Sequence, residues 1–467
     1  MKNYQEFLAT KATLATYSGF DVGRAMLNNN LFGWQKDIVA WALKKGKCAI
    51  FADCGLGKTI MQLEWAHHVC SHTGGNVLIV APLAVATQTQ REGAKFGISV
   101  NICRSGVNIK GGINITNYEM LKHFDMGAFA GVVLDESSII KHVGSQIRQE
   151  LIAMFGATPY RLCCTATPAP NDYMELGNHS EFLGVMTRSE MLSTYFVHDG
   201  SDTSQWRLKG HAEYKFWAWV ASWAAAVQNP RDLGYDGEGY DLPELIIKEH
   251  TVESELLEGE NGQMLLFPSI SKTLSERRIA RKSSIDDRVR VAAEIANAAP
   301  GQVLVWCDLN KESEMLTKSI NGAVEVAGYH DKDHKTTTMN NFSAGGVRVL
   351  VSKPAIAGWG MNWQNCNTMI FVGLSDSFEA YYQAIRRCWR YGQNGPVTVH
   401  IVTAESEGAV RENIIRKQRN AERMVAVLVE HTKNILYDEI HGTRKISESY
   451  TANSIMVLPT FIERMVS

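Results

Sequence analysis

Long apolar runs and paired cysteine motifs are both missing from this sequence of 467 residues. No run of about 18 apolar residues occurs, so no segment is predicted to cross a membrane. The first twenty residues lack the apolar stretch of a signal peptide, and we expect a cytoplasmic protein. None of the nine cysteines is spaced as CxxC, the usual arrangement for structural zinc. Their odd number indicates reduced thiols, most of them in the core.

A strong net charge is missing as well. The formal net charge is -2 at pH 7, so a nucleic-acid partner would need a local basic stripe. The hydrophobic content of 45% and charged content of 21% exclude a disordered, collagen-like or disulfide-scaffold chain. No fixed-period repeat or low-complexity segment is present. The length predicts roughly two to four domains.

Short apolar runs alternate with helical stretches in two parts of the chain. The first part contains KCAIFA, NVLIVA, INIT, GVVLDE and RLCCTA, and the second contains ELIIKEH, QVLVWC, AVEVAG, VRVLVS, TMIFVG and VTVHIV. Each run has strand length, and the alternation predicts an α/β fold with parallel sheets covered by helices. We divide the chain into an N-terminal extension (1–29), a first lobe (30–171), a helical insertion or bridge (172–242), a second lobe (243–430) and a C-terminal tail (431–467).

The Trp-rich part of the insertion has two possible interpretations. Aromatic and basic residues are mixed there, a composition that can stack bases and hold phosphates. Phe216, Val220, Trp223 and Val227 nevertheless follow the i, i+4, i+7, i+11 spacing of one buried helix face. We therefore predict core packing for these side chains.

The sequence ADCGLGKT, from Ala52 to Thr59, lies between an apolar strand and a helical stretch. This context is typical of a phosphate-binding loop. Gly55 and Gly57 allow the backbone N–H groups to close around phosphates, and Lys58 adds a positive charge. Thr59 would hold Mg²⁺ through its hydroxyl. The motif predicts an ATP and Mg²⁺ site, and the alternative is a glycine turn before an ordinary amphipathic helix.

The run GVVLDESS ends an apolar strand with two carboxylates, Asp135 and Glu136. Ligands of open α/β sheets bind at this carboxyl edge. One carboxylate can hold Mg²⁺ through water, and the other can accept a proton from the attacking water. We assign the metal to Asp135 and the base to Glu136. Alone, such a strand end is equally well a solvated turn, but a preceding phosphate loop favours the hydrolytic interpretation.

A third motif, QAIRRCWRYGQ, occupies residues 383–393 in the second half of the chain. We predict a helix on which Arg387 and Arg390, three positions apart, share a face. Guanidinium groups from a neighbouring lobe can stabilise the charge that spreads over the γ-phosphate in the transition state. An exposed basic helix is the alternative. If both arginines complete the site, hydrolysis depends on closure of the second lobe.

Together, and in this order, the three motifs resemble those of a helicase of superfamily two, in its SWI/SNF-type DNA translocase branch. The resemblance covers roughly residues 32–402. It implies two RecA-like lobes of the P-loop NTPase type, with ATP between them and nucleic acid across both. The acidic motif reads DESS where the family has DEAH or DEGH. The short connection between the lobes is most similar to compact helicases of bacteriophages and prophages, which implies a location in the host cytoplasm.

The resemblance also implies roles for individual residues. Gln35 resembles the glutamine that reads adenine, and Gly360 and Gln383 are similar to nucleotide-binding residues of the second lobe. Pro82 and Gln88 resemble a strand-exit motif that contacts the nucleic-acid backbone. Coupling or nucleic-acid contacts are further implied for Thr165, Thr167, Ser352 and Asn362.

Asn171, within the extension APN, and Gln393, at the end of RxxRxGQ, match the form of that branch. The implied function is a DNA-stimulated ATPase that moves along DNA, in this branch duplex DNA, by closing on ATP and opening after hydrolysis. Two alternatives stay open: a helicase that separates DNA or RNA strands, and a non-enzymatic nucleotide-binding subunit of a larger nucleic-acid complex. The sequence indicates no particular protein partner.

Overall fold

Two parallel sheets organise the chain in the computed structural model, which describes residues 14–82, 85–142, 144–199, 202–252, 284–358 and 361–441. In the first half the strands are β1 (Lys47–Ala52), β2 (Asn76–Ala81), β3 (Val100–Ile102), β4 (Ile113–Asn117), β5 (Phe129–Asp135), β6 (Tyr160–Cys164), β7 (Phe196–Asp199), β8 (Asp202–Leu208) and β9 (Ala224–Val227). In the second half they are β10 (Leu245–Val252), β11 (Val303–Cys307), β12 (Ala323–Val326), β13 (Val349–Ser352), β14 (Thr368–Val372) and β15 (Val397–Ala404).

Crossover helices connect these strands. The helices of the first half are α1 (Gly33–Lys45), α2 (Lys58–Thr73), α3 (Ala86–Lys95), α4 (Gln146–Phe155), α5 (Leu176–Leu183), α6 (Arg188–Tyr195) and α7 (Glu213–Ala221). Those of the second half are α8 (Ile285–Ala298), α9 (Asn310–Ser319), α10 (Lys332–Ser343), α11 (Pro354–Ala357), α12 (Phe378–Ile385) and α13 (Gly408–His441). None of the helices in the described ranges has the length and apolarity needed to span a bilayer.

The first sheet has the order β3-β4-β2-β5-β6-β1-β9, and the second has the order β10-β15-β14-β11-β13-β12. Neighbouring strands pair in parallel in both sheets. Apolar clusters cover both faces of each sheet, as expected when crossover helices pack on the two sides of parallel strands. The predicted α/β fold with two RecA-like lobes is therefore confirmed, and every apolar run that we assigned as a strand is one.

The stretch 172–242, which we predicted to be a helical insertion or bridge, contains helices α5, α6 and α7 and also strands that we did not predict. Strands β7 and β8 form an antiparallel hairpin, and β9 pairs with β1 at the edge of the first sheet. Residues up to Val227 thus build part of the first lobe. The sequence of β9, AAAV, has little of the β-branched character by which strands are recognised.

The helix face predicted for Phe216, Val220, Trp223 and Val227 is partly wrong. All four side chains are buried, so the predicted core packing is confirmed. Helix α7, however, ends at Ala221, and Val227 lies in β9. The apolar spacing continues past the helix end, but Val227 belongs to a different apolar cluster of the first lobe from the one that contains Phe216, Val220 and Trp223.

Helix α13 links the two lobes. Near its start, Val410 and Ile414 belong to the core of the second lobe, whereas Met424 and Leu428 belong to the core of the first. Further along, the Thr432 hydroxyl accepts a hydrogen bond from the N–H of Ala226 in β9, at 3.2 Å. The tail predicted from residue 431 therefore begins inside this helix, and residues 442–467 lie outside the described part of the chain.

Candidate active site

The predicted phosphate loop joins β1 to α2. Gly55 and Gly57 have φ angles of 91° and 73°, values that favour glycine, so the loop can turn its N–H groups inward before α2 begins at Lys58. The Lys58 ammonium donates to the carbonyl oxygens of Ala52 at 2.9 Å and Asp53 at 3.3 Å. Thr59 lies half-buried in the first turn of α2. These positions fit a loop that wraps a phosphate group.

Asp135 is the last residue of β5 and Glu136 follows it, two strands from β1 in the first sheet. Asp135 is buried and accepts a hydrogen bond from Gln62 of α2 at 2.7 Å. Burial and then the neighbouring Glu136 charge raise the pKa of Asp135 to about 6, against opposing contributions from Gln62 and Lys58. A bound cation would relieve this repulsion, so Asp135 fits the role of a Mg²⁺ ligand.

Glu136 is the one non-glycine residue with positive φ, at 51°, in the described ranges. Such a backbone costs about 1–3 kcal/mol and is concentrated at functional sites. Its Oε2 atom lies 3.3 Å from the donating hydroxyl of Thr165 and 3.5 Å from Nε2 of Gln383 in the second lobe. The carboxylate is thus held where the two lobes meet, beside Thr165 and Thr167, which we call the coupling motif.

The coupling motif lies directly behind Glu136. Thr165 is completely buried, and its hydroxyl also accepts from the N–H of Thr167 at 3.2 Å. The Thr167 side chain lines an interlobe cavity of about 120 Å³. Ser137, whose contacts the sequence did not reveal, lies 3.1 Å from Nε2 of the buried His179 in α5. His179 was not predicted, since nothing in the sequence connects α5 with the acidic motif.

The third motif lies on α12 and the turn that follows it. Our prediction of one helix carrying both arginines is wrong, because α12 ends at Ile385. The guanidinium groups of Arg387 and Arg390 still converge, and both donate to the carbonyl oxygen of Met361, at 3.0 and 3.4 Å. Burial, followed by the neighbouring Arg387 charge, lowers the pKa of Arg390 to about 10.

Gln383 connects this motif with the phosphate loop. Its Oε1 atom accepts from Nη2 of Arg387 at 2.8 Å and lies 3.9 Å from the thiol sulfur of Cys54. Its Nε2 atom points toward Glu136. Within the described residues neither Arg387 nor Arg390 hydrogen-bonds to the loop, and Gln383 connects Arg387 to it.

Three further residues tie the loop to the second lobe, and the sequence did not single them out. The Asp53 carboxylate forms an ion pair with Arg386 and accepts from the hydroxyl of Tyr382 at 2.5 Å. Arg386 lies outside the pair of arginines, three positions apart, that the sequence analysis assigned to the γ-phosphate. Because the helix ends at Ile385, Arg386 contacts the loop, whereas Arg387 and Arg390 contact Met361.

Gln35 lies on the other side of the phosphate loop, in α1. Its Nε2 atom donates to the carbonyl oxygen of Leu56 at 3.0 Å, and its Oε1 atom accepts from the N–H of Phe32 at 2.9 Å. An amide has two donor hydrogens and two acceptor lone pairs on its oxygen, so one of each remains for a base. The ring of Tyr391 stacks on Tyr240 nearby, with centroids 4.8 Å apart.

The residues assigned to nucleic-acid contacts are less closely grouped. Gln88 lies on α3 and donates to Glu92 at 3.1 Å, and Pro82 immediately follows β2. Ser352 is completely buried, and its hydroxyl donates to the carbonyl oxygen of Val326 at 2.7 Å. That hydroxyl therefore faces the interior of the second lobe. Asn362 is exposed, and Gly360 lies outside the described residues.

Two family models match the chain. The model described as SNF2-related domain matches residues 34–195, and the model described as helicase conserved C-terminal domain matches residues 287–392. A comparison with curated proteins found no match. Among solved structures, the SWI2/SNF2 ATPase core of Sulfolobus solfataricus in complex with dsDNA aligns with 91% of this chain and 98% of its own, at 19% identity and a TM-score of 0.41. The first family match contains the phosphate loop and acidic pair, and the second contains both arginines.

Proposed function

The chain belongs to the SWI/SNF-type branch of the superfamily two helicases, and from this membership we propose that it is an ATP-driven motor that moves along duplex DNA. The observation that carries the proposal is the contact of Gln383 with Glu136 across the lobes. It joins the candidate base of one lobe to the arginine-bearing motif of the other. Hydrolysis would then depend on how the lobes meet, as a motor requires.

The residues of the first lobe would bind the nucleotide. Lys58 would exchange its two loop carbonyl contacts for phosphate oxygens, and Gln35 would use its remaining donor and acceptor on adenine. Asp135 and Thr59 would hold Mg²⁺, which neutralises phosphate charge when bound. Glu136 would accept the proton of the attacking water.

The second lobe would supply positive charge to the transition state. Arg387 and Arg390 donate to the carbonyl of Met361, a neutral acceptor that a phosphate oxygen can replace with a stronger, charge-assisted bond. Gln383 already lies between Arg387 and Glu136, so a small shift of the turn would bring these groups to one γ-phosphate. We propose that this shift, repeated in each ATP cycle, moves the lobes relative to each other.

DNA would lie across both lobes, with Pro82, Gln88 and Asn362 as candidate contacts. Thr165 and Thr167 would couple that surface to Glu136, since Thr165 contacts the carboxylate directly. Ser352 would act from inside the second lobe, by holding the edge strand β12 next to β13. We also propose that the first lobe extends to the end of β9, because that strand completes its sheet.

The test is the ATP turnover rate with single-stranded DNA, duplex DNA and RNA at one fixed salt concentration, because binding to nucleic acid depends steeply on salt. Duplex DNA should give the largest stimulation. Turnover that is the same with and without DNA would contradict the motor proposal.

A second experiment separates translocation from unwinding. Displacement of a third strand from a triplex requires movement along the duplex, whereas displacement of a duplex strand requires separation of the base pairs. We expect the first activity without the second. Strand displacement would instead identify an unwinding helicase, and ATP binding without any turnover would identify a nucleotide-binding subunit.

A further inference from the structure

Asp53 of the phosphate loop is bound from the second lobe at both carboxylate oxygens. Its Oδ2 atom pairs with Nη2 of Arg386, and its Oδ1 atom accepts from the Tyr382 hydroxyl at 2.5 Å and from the N–H of Cys54 at 2.6 Å. Nη2 of Arg386 also donates to the carbonyl oxygen of Cys54 at 3.1 Å. One guanidinium of the second lobe therefore contacts both the side chain and the backbone of the loop.

This contact is shielded from solvent. The side chains of Arg386 and Asp53 are 2% and 15% exposed. The guanidinium carbon of Arg386 lies 5.0 Å from the ring centroid of Trp389 and 5.7 Å from that of Tyr382. Salt screens such a pair far less than a surface pair, and loss of one partner leaves a buried charge uncompensated. The pair can therefore govern how the lobes meet.

The electrostatics of both second-lobe groups agree with this geometry. Burial, the largest single cause, lowers the pKa of Arg386, but the Asp53 charge together with the contributions of Tyr382 and Cys54 raises that pKa above its ordinary value. Burial and the Asp53 charge also raise the pKa of Tyr382. Both groups therefore keep their protons and remain hydrogen-bond donors to Asp53.

Arg386 immediately precedes Arg387, at the point where α12 gives way to the turn. Arg387 and Arg390 bind Met361 within their own lobe, whereas Arg386 binds the loop. The latch, which we define as Asp53, Tyr382 and Arg386, thus fixes the turn over the phosphate loop.

We propose that Arg386 is a positioning residue that docks the turn bearing Arg387 and Arg390 onto the phosphate loop through Asp53. This inference rests on the proposed ATPase function, in which those two arginines act on the γ-phosphate. Without the latch the turn would be held less firmly over the loop. Arg387 and Arg390 would then less often occupy the positions from which they stabilise the charge on the γ-phosphate in the transition state. The latch acts on turnover rather than on ATP affinity, because Lys58 and Gln35 bind the nucleotide from the first lobe.

The first measurement is steady-state ATP turnover of the full chain for Arg386→Gln and Asp53→Asn, with Arg290→Ala as control. Arg290 pairs only with exposed residues of its own helix, Asp287 and Glu294, among the contacts described. Each latch variant should lose roughly 10- to 100-fold in kcat, the scale of one charge-assisted hydrogen bond, with little change in KM. The control should match the unmodified protein. A rise in turnover, or a loss in KM alone, would overturn the proposal.

A positioning role also predicts how the variants combine. Arg386→Gln should cost nothing further in kcat when it is added to a protein that already carries both Arg387→Gln and Arg390→Gln, because Arg386 acts only through those two arginines of the turn. Fully multiplied losses would mean that Arg386 acts independently of the turn, which would overturn the proposal.

Hydrogen exchange of the nucleotide-free protein provides a readout that does not need activity. Both latch variants should exchange faster in the loop (53–57) and in the turn (386–391), while β11 and β14 keep their protection. Unchanged exchange, or faster exchange in one segment alone, would overturn the latch. If Arg386→Gln speeds exchange throughout the second lobe, the result for Asp53→Asn decides whether the latch exists, because that variant breaks the same ion pair without changing any residue of the second lobe. If the unmodified protein lacks DNA-stimulated turnover, the proposed function fails, and the exchange result still decides whether the latch exists.

Discussion

Glu136 of the first lobe and Gln383 of the second face each other across the interlobe cleft, with Nε2 of the amide 3.5 Å from Oε2 of the carboxylate. Oε1 of the same amide accepts from Arg387. One side chain therefore contacts both the candidate base and an arginine of the opposing lobe. Substitutions at Glu136 and at Gln383 can therefore test the two sides of this interlobe contact separately.

Glu136→Gln should keep ATP binding and lose hydrolysis. The amide is nearly isosteric and can still contact Thr165, but it cannot accept a proton from water. General-base catalysis contributes about 10²- to 10⁴-fold, and kcat with saturating DNA should fall by at least the lower of these factors. Equilibrium binding of ATP, measured beside turnover, should be preserved. Turnover close to that of the unmodified protein would exclude Glu136 as the base.

Gln383→Glu should reduce turnover more than Gln383→Ala does. The alanine variant removes the contacts of Gln383 with Glu136 and Cys54, whereas the glutamate variant places a second negative charge against Glu136 and repels it. Turnover rates of the two variants, compared with Gln146→Ala on the exposed start of α4, measure the difference. Equal rates for the Glu and Ala variants would mean that Gln383 and Glu136 do not meet during turnover.

The sequence was sufficient to place the candidate-site residues of the first lobe, because these residues lie at the ends of strands. The loop from Ala52 to Thr59 and the pair Asp135–Glu136 each directly follow an apolar run that forms a strand of one parallel sheet. Parallel strands bring their carboxyl ends to one edge, so the strand assignment alone placed these motifs together. Their position needed no knowledge of tertiary contacts.

The interlobe contacts could not be predicted in the same way. The position where α12 ends determines which arginine of the RRCWR segment contacts the loop. The helix ends at Ile385, but the residues that follow also tolerate a helix, so the sequence does not reveal this end. The partnership of Asp53 with Arg386 joins positions 333 residues apart. Strand β9 was missed for a related reason: tertiary packing beside β1 overrides the weak strand preference of its alanines.

Tyr391→Ala should raise the KM for ATP with little change in kcat. The Tyr391 backbone lies against the phosphate loop, so that a Cβ at Gly55 would be 3.0 Å from its Cβ. Tyr391 is 42% exposed as a whole residue, and its ring stacks on Tyr240, beside Trp34 of α1. An aromatic contact with the base would be worth about 0.5–1.5 kcal/mol, or roughly two- to tenfold in KM.

Tyr391→Phe should keep the KM of the unmodified protein, because the ring is retained. Tyr329→Ala, which removes an exposed tyrosine of the second lobe, serves as the control. An unchanged KM in Tyr391→Ala would show that this ring does not contact the base.

Leu428→Ala should destabilise the protein strongly, because α13 inserts this side chain into the core of the first lobe. Leu428 is completely buried there, and removal of such a leucine costs about 2–5 kcal/mol. Thermal unfolding should show the loss, while Arg419→Ala on an exposed part of the same helix should have little effect. An unchanged unfolding temperature in Leu428→Ala would mean that α13 does not hold the lobes together in solution.

His179 should make the protein less stable in mild acid. Burial lowers its pKa from 6.5 to about 4, so the unfolded chain binds more protons than the folded chain between these values. The free energy of unfolding is therefore unaffected by the ionisation of this histidine above about pH 6.5. It falls by about 3 kcal/mol in total as the pH is lowered from 6.5 toward 4. Urea unfolding across this range should show a flatter pH dependence for His179→Gln than for the unmodified protein. His211→Gln, which alters an exposed histidine, should keep the original slope, and parallel curves for all three proteins would contradict a neutral, buried His179 behind the acidic motif.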